Sequence, residues 1–312
     1  MNPTKALLGA PTEMKELKSN KSLTSFKVQF LFQGSEKDAR GFNRKVELQS
    51  RGKSVSSATP KPEQNALHNL LGLISKATEA GFELKFRSLN AGSYSHQCPD
   101  FAKAEIYLTS HQFEDFKRFF KEYSSRYRLG EDWFNIDFGG LGDLGISFLP
   151  DDIYKSFNEI IDLMRVMGVE LESNWDETFA VPSPTLAVNT ITTDLSQLTV
   201  RFDLRLLPKQ DRSTIAKETI QRLKQVAMNY PTINVRVSED YHTPAFESSQ
   251  GGELNTSMST GAGFLVEKGI ETSVIGPGNG EGNVGSSDEF LELMDLDRAI
   301  QYYEKYIERE CL

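Results

Sequence analysis

The sequence predicts a mixed α/β protein in which β-sheets are covered by helices. Residues 26–32 and 198–205 alternate apolar and polar side chains, which is typical of half-buried strands. Residues 63–79 instead place apolar side chains at helical spacing, which indicates a helix with one buried face. Because strands and helices of this kind follow one another along the chain, we expect sheets with a covering layer of helices.

The composition fits a globular protein and excludes several classes of partner. A chain of 312 residues is long enough for two domains, and 38% apolar residues can form ordinary cores. The net charge of −9 argues against nucleic acid or an anionic membrane as partner. Cys98 and Cys311 are too few for a disulfide framework or a thiolate metal cluster, which fits a reducing compartment. No apolar run approaches membrane-spanning length and no signal peptide is visible, so we expect a cytoplasmic protein.

The elements are predicted in chain order from the same patterns. Residues 5–13 are predicted to form a short buried strand that ends in a turn, and Ser213 is a candidate N-cap. The glycine-rich residues 137–145 lack the Lys-Ser/Thr of a phosphate loop and are expected to be a connector. Further strands are predicted at residues 45–49, 82–86, 102–108, 169–172, 179–181, 186–191 and 233–237, with further helices at 112–123, 151–167, 213–228 and 295–310.

The most informative stretch lies near the C-terminus, at residues 273–290. A short β-rich run meets Gly276-Pro277-Gly278, and a glycine-rich loop then ends at Asp288 and Glu289. Loops at strand ends converge on one crevice in α/β enzymes, so this loop is a candidate part of a site. The helix at 295–310 is predicted to bury a stripe formed by Leu296, Ala299, Ile300, Tyr303 and Ile307.

These motifs, in this order, resemble the zinc-dependent peptidases and deacylases that include acetylornithine deacetylase, succinyl-diaminopimelate desuccinylase and the aminoacyl-histidine dipeptidases. The resemblance runs from Leu7 to the end of the chain and rests on the Gly-Pro-Gly segment, on Gly-Lys at residues 52–53 and on the strand that ends at Arg205. It implies a truncated catalytic α/β domain at residues 1–22 and 241–312. An inserted α+β lid or dimerisation domain at residues 23–240, with two similar α+β units as one arrangement, is also implied.

The resemblance also places the family's functional positions on unsuitable residues. Ala10 stands where the family has a metal-site Glu, Gly261 where it has an Asp, and Gly285 where it has a zinc-binding His. None of these side chains can coordinate a cation, because zinc requires Cys, His or carboxylate donors. Ser56 stands at the position of the lid His and cannot supply imidazolium charge. We therefore predict no catalytic residue, no metal ligand and no bound zinc, although the family uses zinc.

Two positions remain as candidate substrate contacts. Arg205 ends an Asp-x-Arg strand and is suited to grip a substrate carboxylate with two hydrogen bonds, with a surface ion pair as the alternative. His96 occupies the position of a substrate-contacting Asn in the family. His96 and Cys98 together offer two donors, which are too few to indicate a new metal site.

Three functions follow as hypotheses. The first is a catalytically inactive relative that acts as a binding, scaffolding or regulatory protein, with a small carboxylate as candidate ligand. The second is one half of a split zinc metallopeptidase or deacylase that cleaves an amide bond of an N-acyl amino acid or dipeptide, with a partner chain completing the metal site. The third is a dimer-forming structural protein. Under each of them we expect a homodimer or a partner protein that completes the catalytic domain.

Overall fold

A computed structural model describes residues 3–32, 41–126, 134–141, 147–194, 196–280, 283–286 and 288–311. The strands are β1 Lys5–Leu8, β2 Leu17–Asn20, β3 Leu23–Leu31, β4 Phe42–Arg51, β5 Val55–Ser56, β6 Lys85–Ala91, β7 Gln97–Cys98, β8 Phe101–Thr109, β9 Phe134–Leu141, β10 Thr185–Thr193, β11 Gln197–Arg205, β12 Asn234–Thr243, β13 Phe246–Glu247, β14 Leu254–Thr256 and β15 Glu271–Val274. The helices are α1 Ala66–Glu79, α2 Ser110–Arg126, α3 Asp151–Leu171, α4 Arg212–Met228, α5 Ala262–Glu267 and α6 Leu293–Cys311, and a 3₁₀ turn Pro62–Gln64 precedes α1. None of the described helices is long and apolar enough to cross a membrane.

An eight-stranded antiparallel sheet forms the largest part of the molecule. Its strands follow the order β12-β3-β11-β10-β6-β8-β4-β9. The apolar rows predicted from alternation face one side, and Phe26 of β3 stacks on Phe202 of β11 with ring centroids 5.0 Å apart. Both rings are fully buried under the helices, so the alternation in the sequence correctly indicates a sheet with a covered face.

The sheet consists of two units with the same order of elements. The inner unit runs β4-α1-β6-β8-α2-β9, and the outer unit runs β3-α3-β10-β11-α4-β12. In each unit the fourth strand lies beside the first, and the third strand lies between the first and the second. The inner unit occupies the chain between β3 and α3 of the outer unit. The boundaries of a lid domain at residues 23–240 stay a prediction, although all eight strands lie between Leu23 and Thr243.

The two units meet at a short seam between β6 and β10. One residue pair, Ala91 with Ile191, is in register there. The Thr193 hydroxyl donates to the Leu89 carbonyl at 2.7 Å, and the Thr193 amide donates to the Asn90 side chain at 2.8 Å. Gly92 follows with φ of +65°, and a Cβ there would lie 2.1 Å from the Asn189 carbonyl oxygen, so this close approach requires glycine.

The face of the sheet away from the helices carries ion pairs between neighbouring strands. Lys103 on β8 lies 2.8 Å from Glu47 on β4, and Lys27 on β3 lies 3.3 Å from Asp240 on β12. These side chains are partly exposed, so each pair contributes about 0–1 kcal/mol. Their main consequence is that this face of the sheet is polar.

The chain ends form a smaller terminal region, defined here as residues 3–20 with the described residues of 246–311. It contains the parallel pair β1-β15 and the three-stranded sheet β13-β2-β14. Its apolar centre is small and consists of Leu17, Phe246, Ala262 and Val274, with Leu8, Ala10 and Leu254 packed against it.

Helix α6 packs on this terminal region through only part of the predicted stripe. Ala299 is buried, and the Tyr303 hydroxyl donates to the Ile275 carbonyl at 2.8 Å. The predicted stripe is wrong in its other members, because Leu296, Ile300 and Ile307 are 40%, 48% and 53% exposed.

Five local predictions also differ from the structure. Residues 179–181, predicted as a strand, belong to the irregular segment between α3 and β10. Residues 169–172, predicted as a strand, mainly extend α3, and the strand predicted at 82–86 lies three residues later as β6. The connector predicted at residues 137–145 begins within the edge strand β9, and its residues 142–145 lie outside the described residues. Helix α4 is capped by Asp211, whose carboxylate accepts from the Thr214 amide at 3.1 Å, rather than by Ser213.

Candidate functional site

Strand β11 carries polar side chains on one face, and they become more deeply buried toward the C-terminal end of the strand. Arg201 on this face is half-buried and lies near Asp240, with an N–O distance of 3.4 Å. Two and four residues later, Asp203 and Arg205 are 1% and 4% exposed. They are covered by the turns next to β5 and β7 and by the loop between β14 and α5. The strand alternation thus places two charged groups in a buried position, where each requires hydrogen-bond partners.

Asp203 is the centre of this buried network. Its carboxylate accepts hydrogen bonds from the Ser57 hydroxyl at 2.7 Å, from His96 Nδ1 at 2.9 Å, and from the Ser25 hydroxyl. Burial alone raises the pKa of Asp203. The hydrogen bonds from His96 and Ser25 and the charge of Arg205 outweigh burial, so the pKa of Asp203 lies below its usual value. The carboxylate is therefore ionised at neutral pH.

His96 is held by Asp203 and by the backbone. It lies in the turn before β7 with φ of +64°, a left-handed conformation that is uncommon for a residue other than glycine. Its carbonyl accepts from the Ser57 amide at 2.9 Å, which connects the turn to β5. The side chain is 39% exposed, and its ring centroid lies 6.0 Å from that of Tyr241. Because Nδ1 faces Asp203, Nε2 is the nitrogen left for a contact outside the network.

Arg205 connects the large sheet to the terminal region. Its Nη2 donates to the Ser57 hydroxyl and its Nη1 to the Ser259 hydroxyl, each at 3.1 Å. The Ser259 hydroxyl in turn donates to the Lys21 carbonyl at 2.8 Å. Since Arg205 is buried, the alternative of a surface ion pair does not apply. Its role as a substrate contact stays a prediction, as does that of His96.

Two of the predicted degenerate positions line one pocket. Ala10 and Gly261 lie on the wall of a cavity of about 260 Å³, together with Thr12, Ser259 and Thr260. Ser259 is also the residue that Arg205 contacts, so the pocket borders the buried network. The polar groups on this wall include hydroxyls. The described walls contain no Cys, His or carboxylate side chain.

The other two degenerate positions lie side by side. A Cβ added to Gly285 would lie 3.8 Å from Cα of Ser56 and 3.4 Å from Nε2 of Gln97. The Gly285 carbonyl accepts from the Ser54 hydroxyl at 3.1 Å, and its φ of +78° favours glycine. Antiparallel pairing of β5 with β7 places Ser56 opposite Gln97. The fold therefore brings Ser56 and Gly285 together, and neither side chain can bind zinc.

The donor set does not fit a zinc ion. Zinc sites in proteins are built from Cys, His and carboxylate side chains, usually three or four of them. Within the described residues, no group of three or more such side chains is arranged to hold a metal. Burial raises the pKa of the Cys98 thiol to about 12, so this cysteine is protonated and offers no thiolate.

Sequence reasoning missed Ser57, Ser259 and the carboxylate of Asp203 as members of the site. Asp203 belongs to the recognised Asp-x-Arg strand, so its position two residues before Arg205 was an available signal. The two serines lie in irregular segments far apart in the chain, and the sequence contains no pattern that relates them.

Comparison with solved structures identifies the fold. The aminoacylhistidine dipeptidase of Vibrio alginolyticus superposes with a TM-score of 0.66 at 15% identity, over 98% of this chain and 65% of the dipeptidase. The chain has the fold of that dipeptidase. The predicted resemblance and the mixed α/β fold class are thereby confirmed at the level of the fold. The chain spans less than two thirds of the dipeptidase, so the activity of the whole enzyme does not transfer with the fold.

Two other dipeptidases overlap with this fold less closely. Human carnosine dipeptidase 1 has a TM-score of 0.33 at 11% identity, over 87% of this chain and 51% of its own. The dipeptidase Dug1p of Saccharomyces cerevisiae has a TM-score of 0.38 at 11% identity, over 96% of this chain and 58% of its own. At the level of sequence, no protein-family model and no curated protein matches the chain.

Proposed function

We propose that this chain is a catalytically inactive relative of zinc aminoacylase and dipeptidase-type hydrolases that acts as a binding, scaffolding or regulatory protein. The observation that carries the proposal is the pocket at Ala10 and Gly261. Both residues occupy positions at which the family resemblance requires carboxylates. Both lie on one wall of a pocket with a volume of about 260 Å³. A methyl group and a hydrogen atom there leave nothing to hold a catalytic cation.

A small carboxylate is the ligand that we propose for this pocket. Hydroxyls of Ser259 and Thr260 line it, and the buried Arg205 guanidinium donates to Ser259 behind the wall. The Arg205 charge is shared with the ionised Asp203 of the same network, so the hydroxyl donors on the wall supply the direct contacts proposed for the carboxylate. His96 is not on this wall, and its role as a substrate contact is proposed separately, through Nε2.

The test combines a metal analysis with an activity assay on one preparation of the protein. We expect no stoichiometric zinc and no hydrolysis of dipeptides or N-acyl amino acids. One equivalent of tightly bound zinc with matching turnover would refute the proposal.

A gain-of-binding variant makes this test sharper. Gly261 has φ of −69°, and no atom lies within 4 Å of an added Cβ, so an Asp is tolerated there. The double variant Ala10→Glu with Gly261→Asp places two carboxylates on one pocket wall. Because two carboxylates are fewer than the three or four donors of a usual zinc site, we expect weak zinc binding by this variant, detectable at high zinc concentration, and none by the single variant Gly261→Ala. Equal zinc content in both variants would show that the wall is not the remnant of a metal site.

A split hydrolase is the second candidate, and the exposed apolar face of α6 favours it. Leu296, Ile300 and Ile307 are 40–53% exposed beside a parallel sheet of only two strands in the described region. Parallel sheets are normally covered on both faces, so this region is suited to a further chain. Co-purification followed by light scattering tests the idea. A monomer whose activity no co-purifying subunit restores would exclude it.

We also propose that the chain forms a homodimer and is cytoplasmic. The same apolar face supports self-association, since contiguous exposed apolar surface marks interaction sites. Sedimentation of the purified chain would separate a homodimer from a monomer, and a complex with a different subunit would have the summed mass of the two unlike chains.

A further inference from the structure

A second, unrelated groove opens between helices α1 and α3, above strand β10. It has a volume of about 430 Å³, within the range of roughly 300–1,000 Å³ found for small-molecule sites. None of its lining residues belongs to the pocket at Ala10 and Gly261. The floor is apolar, and each of the following floor residues is less than a tenth exposed: Leu67, Leu71, Ile161, Met164, Ala187 and Cys98.

Charged side chains stand around this apolar floor. Lys61, His68 and Arg165 line the groove, and Glu172 is the acidic residue among them. Arg165 also pairs with Asp162 on its own helix at 3.0 Å. Burial and the charge of Arg165 lower the pKa of His68, so the positive excess at the groove is one charge, from Lys61 and Arg165 against Glu172, in a chain whose net charge is −9. This local charge therefore points to an anionic group on the occupant.

Among the described residues, the floor of the groove contains no charged side chain that would bind a carboxylate in place of the rim. Burial raises the pKa of the Cys98 thiol to about 12, so Cys98 contributes a neutral, weakly polar sulfur. Ala187 and Val188 come from β10, so this side of the groove is a rigid strand. Val169 lines the groove and is 67% exposed, which extends the apolar surface outward.

We propose that the groove between α1 and α3 binds an apolar small molecule that carries one carboxylate, of the class of medium-chain fatty acids. The hydrocarbon chain lies on the floor formed by Leu67, Leu71 and Met164. The carboxylate lies at the rim, within reach of Arg165 and Lys61. Binding here removes apolar side chains from water and leaves the charged group partly solvated, which is the arrangement that such an amphiphile prefers.

Gly168 offers a selective way to fill the groove. It lines the groove from within α3, and no atom lies within 4 Å of a Cβ added to it. Gly168→Trp therefore places an indole in open space. Gly168→Ala is the matched control, and both substitutions remove a helix-interior glycine, so neither is expected to destabilise the fold. Circular dichroism and thermal unfolding of both variants verify this.

Titration calorimetry with dodecanoate on the full chain is the experiment. We expect saturable binding at one site, a loss of at least about tenfold in affinity in Gly168→Trp, and a change of less than about twofold in Gly168→Ala. Failure of the native chain to bind dodecanoate would overturn the proposal. Equal binding by the Trp variant would also overturn it, because the ligand would then lie elsewhere.

A charge series tests the rim separately. Arg165→Gln combined with Lys61→Gln should weaken dodecanoate roughly five- to tenfold and leave dodecanol unchanged. Equal effects on both probes would contradict the role given to the carboxylate. If dodecanoate does not bind and Gly168→Trp instead abolishes self-association, the groove holds a second copy of the chain and the proposal is wrong. None of these outcomes depends on zinc or hydrolysis, so they are independent of the function proposed above.

Discussion

The eight-stranded sheet and the terminal region differ in how many apolar side chains they bury. The sheet buries continuous apolar rows beneath four helices, including the stacked rings of Phe26 and Phe202. The terminal region encloses a few apolar side chains around Leu17 and Phe246 and leaves much of α6 in water. Since stability grows with buried apolar area, the sheet is self-sufficient and the terminal region depends on its neighbours.

The buried network at Asp203 is what connects the two regions. Asp203 and Arg205 belong to the sheet, while Ser259 belongs to the terminal region, and the hydrogen bond from Arg205 joins them. We therefore predict that core substitutions in the sheet lower the unfolding free energy of the whole chain. Core substitutions in the terminal region should instead increase local opening of that region. Four experiments test this difference.

The largest effect is expected for Phe202→Ala. Removing a fully buried ring from the sheet costs about 3–5 kcal/mol of unfolding free energy. Phe246→Ala, the matched change in the terminal region, should leave the main unfolding transition within about 1 kcal/mol and increase hydrogen exchange in that region instead. Urea denaturation and exchange mass spectrometry measure both. Equal losses of global stability would show that the two regions unfold as one unit.

The second largest effect is expected for Asp203→Ala, which should lower the unfolding free energy by about 3 kcal/mol. The change leaves hydroxyls of Ser25 and Ser57 and Nδ1 of His96 without their acceptor, and buried donors without partners are costly. Because the network joins the two regions, exchange protection should fall around Ser259 as well as in β11. A loss confined to β11 would contradict that connection.

The same carboxylate determines a pH dependence. Its pKa is lower in the folded state than the value of about 3.9 expected for the unfolded chain. Its stabilisation is thus fully present above about pH 4 and is lost as pH falls through the lower, folded pKa. Stability curves from pH 6 to pH 2 should be flatter for Asp203→Asn than for the native chain. Asp240→Asn, at a half-exposed position, should change the slope less.

The smallest effect on stability is expected on α6. Ile300→Ser should change the unfolding free energy of the dissociated chain, measured at low protein concentration, by less than about 0.5 kcal/mol, because the side chain is 48% exposed in the single chain. Ala299→Ser, one position earlier and buried, is the control and should cost more. A large loss in Ile300→Ser would mean that another surface covers the face in solution, and light scattering of both proteins would then show an assembly.

Much of the sheet could be predicted from the sequence because its strands are half-buried. Alternation located β3, β4, β8 and β11 to within a few residues. It did not locate β9, since Gly139 and Gly140 make an edge strand look like a loop. Residues 169–172 are predicted as a short strand from the sequence. Most of these residues are helical because α3 continues through them from its preceding turns. Local propensity does not predict such a continuation.

Motif order related some positions of the candidate site to one another, but it did not predict their contacts. Motif order placed Ala10, Gly261, Ser56 and Gly285 at related positions, and the structure brings them together in two pairs. The depth of Arg205 was not predictable, because alternation assigns a residue to a face and does not say what covers that face. Arg205 is covered by Ser57 and Ser259, which are distant from each other in the sequence and belong to irregular segments.

The nesting of one unit inside the other has a consequence for how the chain acquires its structure. Strand β3 precedes the inner unit, yet both of its neighbours, β11 and β12, follow that unit in the chain. Strand β3 therefore has neither neighbour until the inner unit has been synthesised, whereas the strands of the inner unit lie within one continuous stretch of chain. Bringing such distant segments together is slow, because closing a long loop has an entropic cost before any contact forms. Assembly of the outer half is accordingly the step at which chaperones or misassociation would compete with folding.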